Sequence, residues 1–311
     1  MSPSASVCVS TFRRPERLER LLAALEAQDA SDFDVVVYDD ASGDATSEVL
    51  VGWRDRLPLT VLAGAFNRGP AAGRNAAWRA SRGEVVLFTD DDCVPQPGWV
   101  RAHLAAAGPI TVGRTLPAPD QQHLTGPFSR TLQVDSADLF HTCNIGYPRA
   151  VLETLDGFDE RFRKAAGEDT DLGLRAMAAG AEVSFVPDAL VHHDVRPSSW
   201  VAALRETAKW VDVPLFVRTH GTHGSTAVYS QWWWRKTHPV AVLAAAGLLA
   251  GRRHPVALVA ALPWLQLRTG ELRVQARRRH WLWVLPAQLA VDVAEVAVLA
   301  RGSARHRRLI L

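Results

Sequence analysis

Midway through the first 200 residues the chain reads Glu84-Val-Val-Leu-Phe-Thr-Asp90-Asp91-Asp92-Cys93. Residues 85 to 89 are apolar or β-branched, which is typical of a buried strand. Asp90 and Asp92 follow the end of that strand, one residue apart. Hard cations such as Mg²⁺ or Mn²⁺ bind one or two carboxylates together with phosphate oxygens of a substrate. The stretch therefore indicates either a site for a metal and a diphosphate or a solvated acidic turn, and the rest of the chain has to decide.

Strand and helix patterns alternate on the N-terminal side of this stretch. Strands are predicted at residues 5–10, 33–38 and 59–63, and helices from residue 15, at 44–53 and at 71–81. In the helix that begins at Pro15, the spacing of Leu18, Leu21, Leu22 and Leu25 puts four leucines on one face. This alternation predicts an α/β fold with a mostly parallel, doubly wound sheet and helices on both faces. Ligands bind such sheets at the carboxyl ends of the strands.

The pattern loosens on the C-terminal side. A helix is predicted at residues 98–107, a strand at 110–112 and a loop at 115–130. A second organised block runs from Cys143 to Pro187 and contains a helix that begins near Gly167 and ends near Gly180. Short strands are predicted at 182–186 and 189–191, directly before His192 and His193.

Composition limits the class of protein. The chain has 311 residues, 48% of them hydrophobic, which is enough for a substantial core. Three cysteines at no metal-binding spacing favour reduced thiols in the cytosol over a disulfide framework. The first residues lack a basic segment followed by an apolar one, so we expect no secretory signal.

The net charge of +2 conceals an asymmetry. From Arg235 onward there are 13 Lys and Arg against three acids, whereas the preceding residues carry 22 basic and 30 acidic side chains. Six of the eleven Trp lie between Trp232 and Trp283. We therefore predict two parts, a globular domain at residues 1–227 and a hydrophobic, basic and helical region at residues 228–311.

The C-terminal region contains three apolar segments. Two runs, Pro239–Gly251 and Pro255–Leu267, are joined by Arg252-Arg253-His254 and are short for a bilayer span, which needs about 20 residues. This pattern suggests a re-entrant or interfacial hairpin rather than two full spans. The third, residues 281–300, contains Asp292 and Glu295, which disfavour a lipid-buried span and suggest an amphipathic helix. Basic residues beside Trp and aliphatic side chains suit an anionic membrane surface, such as the cytoplasmic leaflet. The alternative is a helical subdomain that packs on the rest of the protein or dimerises.

Six motifs occur in a fixed order along the chain. They are Val9-Ser-Thr-Phe12, Tyr38-Asp-Asp40, Gly73-Arg-Asn75, Asp90-Asp-Asp92, Gly157-Phe-Asp159 and Glu168-Asp-Thr-Asp-Leu172. In this order the first 230 residues resemble family 2 glycosyltransferases, which have the GT-A fold. The resemblance implies transfer of a sugar, with inversion at its anomeric carbon, from a nucleotide diphosphate-sugar donor in the presence of Mg²⁺ or Mn²⁺.

The resemblance also assigns the donor side. It implies that Ser10 and Asp40 surround the nucleobase and that Arg74 meets the base or a phosphate. It implies that Asp90 meets the ribose or the metal and that Asp92 binds the metal directly, while Asp91 between them points away. Turn formation or helix capping for Asp40, and a surface position for Arg74, remain the structural alternatives.

On the acceptor side, the resemblance implies that Asp169 is the base that takes a proton from the acceptor hydroxyl. Glu168, Asp171 and Asn144 are expected near the acceptor. Adjacent carboxylates raise the pKa of one of them. Acids in the first turn of a helix are also favoured for structural reasons alone, so this alternative stays open.

The resemblance also implies a histidine that reaches the metal or the diphosphate, and His193 has the spacing expected of it. A neutral imidazole binds Mn²⁺. The neighbouring His192 is the competing candidate, and an ordinary surface role is the alternative for either.

We therefore expect a glycosyltransferase at the cytoplasmic face of the membrane with a glycan or lipid-linked acceptor. A nucleotidyltransferase of similar fold would carry a glycine-rich loop after the first strand, where this chain has Thr11-Phe-Arg-Arg-Pro15. A non-catalytic membrane scaffold would not need the complete set of carboxylates. Nucleic acid is not expected as a partner, because the arginines alternate with long aliphatic runs. The sequence does not specify the sugar, the nucleotide or the oligomeric state.

Overall fold

The computed structural model describes residues 3–106, 108–221, 229–230, 232–275 and 281–311. Within these residues the strands are β1 (Ala5–Thr11), β2 (Phe33–Asp39), β3 (Leu59–Ala63), β4 (Val85–Thr89), β5 (Cys93–Pro95), β6 (Ile110–Pro117), β7 (Asn144–Pro148) and β8 (Val183–His193). They form one sheet in the order β3-β2-β1-β4-β7-β6-β8-β5.

Strands β1 to β4 are parallel, as the alternation predicted. Their carboxyl ends therefore meet at one edge of the sheet, where Asp40 follows β2 and the three aspartates follow β4. The other half of the sheet is mixed: β7 is antiparallel to both β4 and β6, β6 is parallel to β8, and β5 is antiparallel to β8.

The helices of the first part are α1 (Pro15–Glu26), α2 (Thr46–Gly52), α3 (Pro70–Ala80), α4 (Trp99–Ala105), α5 (Arg149–Leu155) and α6 (Glu168–Ala178). Side chains of α1, α2 and α4 share one core cluster, and those of α3, α5 and α6 share another. Alternate residues of β1 supply the two clusters, Val7 and Val9 to the first and Cys8 to the second. The sheet is therefore covered by helices on both faces, as predicted.

Two predictions of local structure differ from the structure. The loop expected at residues 115–130 begins with the end of β6 and contains a 3₁₀ helix at Pro119–Leu124. The two short strands expected around residue 187 are one strand, β8. Pro187 cannot donate a hydrogen bond to a neighbouring strand, and β6 shifts register between Gly113 and Thr115, which accommodates the irregular pairing.

The chain divides into two compact units. The first contains Met1–Gln122 and Thr131–Asp194, and the second contains His123–Arg130 and Val195–Leu311. This division falls earlier in the chain than the boundary expected at residue 227, because residues 195–221 pack on the last helix. Gly302 of that helix lies against the backbone of Val211, and His306 Nε2 lies 3.0 Å from Asp212 Oδ1.

The second unit is helical. It contains α7 (Trp200–Glu206), α8 (Val213–His220), α9 (Thr237–Ala250), α10 (Leu262–Gln275) and α11 (Trp281–His306), with 3₁₀ helices at Thr207–Asp212 and Pro255–Ala261. Among the described residues one helix, Trp283–His306, is long and apolar enough to cross a membrane, with a mean hydropathy of 1.6. The basic run Arg277-Arg278-Arg279 lies outside the described residues.

Helix α11 turns its two carboxylates inward. Asp292 is fully buried, accepts a hydrogen bond from Trp264 Nε1 at 2.7 Å and pairs with Arg268. Glu295 accepts hydrogen bonds from Trp210 Nε1 and lies 3.1 Å from His238 Nε2. Buried and half-buried partners therefore satisfy both acids.

We predict that Gly173→Ala destabilises the protein. Gly173 lies in α6, where a Cβ atom would overlap the ring of the buried Phe140. Overpacking costs about 1–3 kcal/mol, which outweighs the gain of up to about 1 kcal/mol from replacing glycine by alanine in a helix. Thermal unfolding of the variant should begin at a lower temperature than in the unchanged protein.

Gly52→Ala is the matched control, because Gly52 is also helical and a Cβ atom there meets nothing within 4 Å. This variant should unfold at or slightly above the original temperature. Equal unfolding temperatures for Gly173→Ala and the unchanged protein would show that α6 does not need this close approach.

Candidate active site

The three aspartates after β4 have different surroundings. Asp91 is buried, accepts a hydrogen bond from Thr11 Oγ1 at 2.8 Å and pairs with Arg14 at 2.6 Å. Burial raises the pKa of Asp91 to about 6 against the opposing charge of Arg14. Asp91 is thus enclosed under the end of β1.

Asp92 meets cations on one oxygen and a histidine on the other. Its Oδ2 lies 3.3 Å from Arg14 Nη1 and 3.6 Å from Arg17 Nη1. Its Oδ1 lies 3.6 Å from His193 Nε2. Antiparallel pairing of β5 with β8 produces this approach, because it sets Cys93 opposite His193.

The orientation of His193 is fixed by a backbone carbonyl. Nδ1 lies 2.9 Å from the carbonyl oxygen of Asp194. A carbonyl only accepts hydrogen bonds, so Nδ1 carries a proton and Nε2 is the atom that faces Asp92. A neutral Nε2 and a carboxylate oxygen repel each other unless a proton or a metal ion lies between them.

These donors fit a hard divalent cation. Asp92, Cys93 and His193 offer ligand atoms within 4.8 Å of one another. Burial raises the pKa of the Cys93 thiol well above its usual value, so the thiol stays protonated and is a poor ligand. One oxygen and one nitrogen remain, which suits a cation that completes its coordination with diphosphate oxygens.

His192 points elsewhere. As the next residue along a strand, it faces the opposite side of the sheet from His193. Its side chain lines a cavity of about 450 Å³ together with Arg20, Gln121 and Asp194. The geometry therefore favours His193 over His192 as the residue beside the metal position.

Arg74 joins the two acidic motifs. The residue is 5% exposed, and its Nη2 donates to Asp90 Oδ1 at 2.9 Å while Nη1 donates to Glu168 Oε1 at 2.8 Å. These two carboxylates hold the guanidinium of Arg74, whose expected contact with base or phosphate stays a prediction. Burial and the neighbouring Asp169 raise the pKa of Glu168 to about 7.

Asp169 has a partner that the sequence motifs did not indicate. Its Oδ2 lies 3.6 Å from His141 Nδ1, and its Oδ1 accepts a hydrogen bond from the backbone N–H of Thr170 at 2.7 Å. Burial acts to raise the pKa of Asp169, but His141, the N–H of Thr170 and the charge of Arg74 together outweigh it and the pKa is lowered. Of the two adjacent carboxyls, Glu168 is therefore the one with a raised pKa, and Asp169 is the ionised one.

The Asn75 side chain ties two of the motifs together. Its amide donates to the carbonyl of Phe158 at 2.8 Å and accepts from the N–H of Phe158 at 2.9 Å. Gly157 has φ +72°, and a Cβ atom there would overlap Asn75. These contacts explain, in structural terms, the presence of Asn75 in the Gly73-Arg-Asn75 motif and of Gly157 in the Gly157-Phe-Asp159 motif.

The predicted base-binding residues lie at the ends of β1 and β2. Ser10 lies against Gly73 of α3, where a Cβ atom on the glycine would overlap its hydroxyl. Asp40 is buried, and its carboxylate accepts hydrogen bonds from the backbone N–H groups of Arg68 and Gly69 at 2.8 and 2.9 Å. Asp40 thus supports the loop that leads into α3.

Two residues expected near the acceptor have structural partners. The amide of Asn144 is 1% exposed and bonds to Trp99, His103 and two backbone carbonyls. Asn144 therefore does not line an open acceptor site, in contrast to the expectation, because its hydrogen-bonding groups are used inside the core. Asp171 is likewise buried and pairs with Arg175 at 2.8 Å.

Comparison with known proteins gives the family. Residues 6–112 match the model of glycosyl transferase family 2, and residues 128–293 match that of glycosyl transferase family group 2. The second match alone covers more than half of the chain.

Curated relatives agree with these matches. The chain is 29% identical over 220 residues to validoxylamine A glucosyltransferase of Streptomyces hygroscopicus subsp. jinggangensis, an alignment that covers 57% of this chain and 52% of the relative. It is 28% identical over 232 residues to the succinoglycan biosynthesis protein ExoM of Rhizobium meliloti, covering 70% of this chain and 72% of that protein. The chain thus spans about half the length of the first of these relatives.

A solved structure supports the fold. The mannosyltransferase PcManGT of Pyrobaculum calidifontis, in complex with GDP-Man and Mn²⁺, superposes with a TM-score of 0.66 at 21% identity, covering 95% of this chain and 87% of that one. This similarity supports the GT-A fold that the sequence predicted. The chain belongs to glycosyltransferase family 2.

Proposed function

We propose that this protein is a metal-dependent, inverting glycosyltransferase that moves a sugar from a nucleotide diphosphate-sugar to a glycan or a lipid-linked acceptor. The observation that carries the proposal is the buried Arg74, which pairs with Asp90 of the motif after β4 and with Glu168, the sequence neighbour of Asp169. Donor-side and acceptor-side carboxylates share one site at the edge of the sheet. The mannosyltransferase PcManGT, in complex with GDP-Man and Mn²⁺, supports the donor class.

On the donor side, Asp92 and His193 would hold Mg²⁺ or Mn²⁺. The cation supplies positive charge that stabilises the leaving diphosphate when it is bound. Arg14 and Arg17 neutralise the Asp92 oxygen that faces away from His193. We propose that Ser10 and Asp40, at the ends of β1 and β2, form the side of the site that receives the nucleobase.

On the acceptor side, Asp169 would accept the proton of the attacking hydroxyl. The acceptor oxygen forms a bond to the anomeric carbon, and the bond from that carbon to the diphosphate oxygen breaks on the opposite face. Asp169 is suited to the task because it is ionised and its side chain remains 18% exposed. Glu168 would hold Arg74 in place behind it.

We also propose that the second unit binds the cytoplasmic surface of the membrane. Helix α9 packs on the 3₁₀ helix at Pro255–Ala261 through small residues, since a Cβ atom on Gly247 would lie 2.7 Å from Ala260 Cβ. This hairpin exposes large apolar side chains, with Leu249 69% and Val256 83% exposed. The exposed Arg252 and Arg253 at its turn support a position of the hairpin at the headgroup layer rather than deep in the bilayer.

The first prediction of this section concerns the metal. Asp92→Ala should weaken Mn²⁺ binding by about tenfold or more, because it removes an oxygen ligand. Electron paramagnetic resonance of free Mn²⁺ measures this without an activity assay. Asp188→Ala, at an exposed carboxylate of β8, is the control and should bind Mn²⁺ like the unchanged protein. Equal affinities for all three would place the metal elsewhere.

The second concerns the base. Asp169→Asn should lower kcat on the order of 10²–10⁴-fold, because the amide cannot accept the proton. Donor binding should stay within about twofold, since the side chain acts on the acceptor. Calorimetric titration with GDP-mannose, UDP-glucose and UDP-N-acetylglucosamine, and nucleotide release from whichever binds, measure the two quantities. Loss of donor binding in the variant would remove Asp169 from the role of base.

The third concerns the membrane. Replacing Leu249 and Val256 together by Asp should reduce flotation with phosphatidylglycerol vesicles on the order of tenfold or more, because each buried aliphatic side chain contributes about 1.5–3 kcal/mol. The same change at Val51 and Met177, exposed apolar residues of α2 and α6, is the matched control. Flotation that both double variants retain in full would exclude the hairpin as the membrane contact.

A further inference from the structure

His141 lies beside the proposed base without being part of any motif. Its Nδ1 is 3.6 Å from Asp169 Oδ2, and its side chain is 27% exposed. The other oxygen of Asp169, Oδ1, accepts a hydrogen bond from the N–H of Thr170, so Oδ2 is the oxygen that faces His141. The pair thus connects the proposed base to solvent through an imidazole ring.

The fold holds His141 in this place. The neighbouring Phe140 is 1% exposed and its ring packs directly against Gly173, one turn of α6 after Asp169. The carbonyl of His141 accepts a hydrogen bond from the N–H of Asn144 at 3.2 Å, where β7 begins. Phe140 and Asn144 are both buried, so they fix the backbone of His141, and its imidazole ring reaches the site.

We propose that His141 is a positioning residue that acts through Asp169, holding its Oδ2 toward the acceptor and removing the proton that it collects. This inference rests on the proposed function of Asp169 as base. In the first step the acceptor O–H bond breaks and its proton goes to Asp169. In the second step that proton moves to Nδ1 of the neutral imidazole, which leaves Asp169 ionised again beside an imidazolium that releases the proton to water.

The charges around the pair favour this direction of transfer. Burial acts to lower the pKa of His141, but Asp169, Asp90 and Glu168 outweigh it and the pKa is raised. The cation that faces the same group of carboxylates is Arg74, which pairs with Asp90 and Glu168. Because the pKa of Asp169 is lowered while that of His141 is raised, transfer of a proton from Asp169 to the imidazole is thermodynamically favourable.

The proposal gives a definite pH dependence. His141 accepts a proton only in its neutral form, and its raised pKa means that this form appears above the ordinary histidine value of about 6.5. In the unchanged protein kcat should therefore rise with pH through that raised value. In His141→Gln this rise should be absent, and kcat above it should be lower by about tenfold or more.

The experiment compares the unchanged protein, His141→Gln and His123→Gln, a control at an exposed histidine in the 3₁₀ helix Pro119–Leu124. Nucleotide release from a donor that binds in calorimetry is followed from pH 5.5 to 9, with and without added imidazole. Added imidazole should restore part of the activity of His141→Gln alone. A pH profile and kcat for His141→Gln equal to those of the control would overturn the inference.

A second measurement does not depend on turnover. Nuclear magnetic resonance of labelled histidine gives the titration of His141 in the unchanged protein and in Asp169→Asn. The midpoint should fall to lower pH in the variant, since a carboxylate that stabilises the imidazolium is gone. An unchanged midpoint would refute the pairing, whereas an absence of nucleotide release from the unchanged protein would refute the proposed function and leave this titration to decide the pair.

Discussion

The candidate site depends on one buried cation. The Arg74 guanidinium lies between Asp90 at the end of β4 and Glu168 at the start of α6. An unpaired charge at such depth would cost several kcal/mol, so the site is stable only while carboxylates stand on both sides of it. Arg74 therefore fixes the distance between Asp90 and Glu168. Burial and the neighbouring Asp169 raise the pKa of Glu168 against the opposing charge of Arg74, whereas the Asp169 side chain lies on the more open side.

The adjacent residue of α3 completes this arrangement. Asn75 binds both backbone groups of Phe158, and Arg175 of α6 donates to the carbonyl of Gly157 at 2.7 Å. The loop before α6 is thus held from α3 and from α6 itself. Two consecutive residues of one helix therefore place the acidic start of α6, one by charge and one by hydrogen bonds. A change at either would move Asp169 relative to the aspartates of β4.

Local patterns predicted the parallel half of the sheet well, because apolar runs and leucine spacing report burial directly. The leucine face of α1 is buried as expected, and Asp91 is buried against Thr11 and Arg14. The rest needed tertiary pairing. Strand β7 is antiparallel to β4, and Asn144 lies opposite Thr89. His141, three residues before Asn144, therefore lies near the aspartates that follow β4. The residues around His141 carry no pattern that predicts this position, which follows from the pairing of β7 with β4.

The second unit shows what composition alone could not predict about α11. Asp292 and Glu295 suggested an amphipathic helix, and in the structure they pair with buried or half-buried Trp, Arg and His side chains. With its acids satisfied inside, this unit presents aliphatic residues such as Leu249, Val256 and Val259 outside. Exposure of such a surface to water is unfavourable, whereas contact with lipid is favourable by about 25 cal/mol for each Å² of apolar area removed from water. Carboxylates paired internally and hydrocarbon turned outward are what a low-dielectric surrounding requires of a protein surface, and this is the physical basis of the proposed membrane contact.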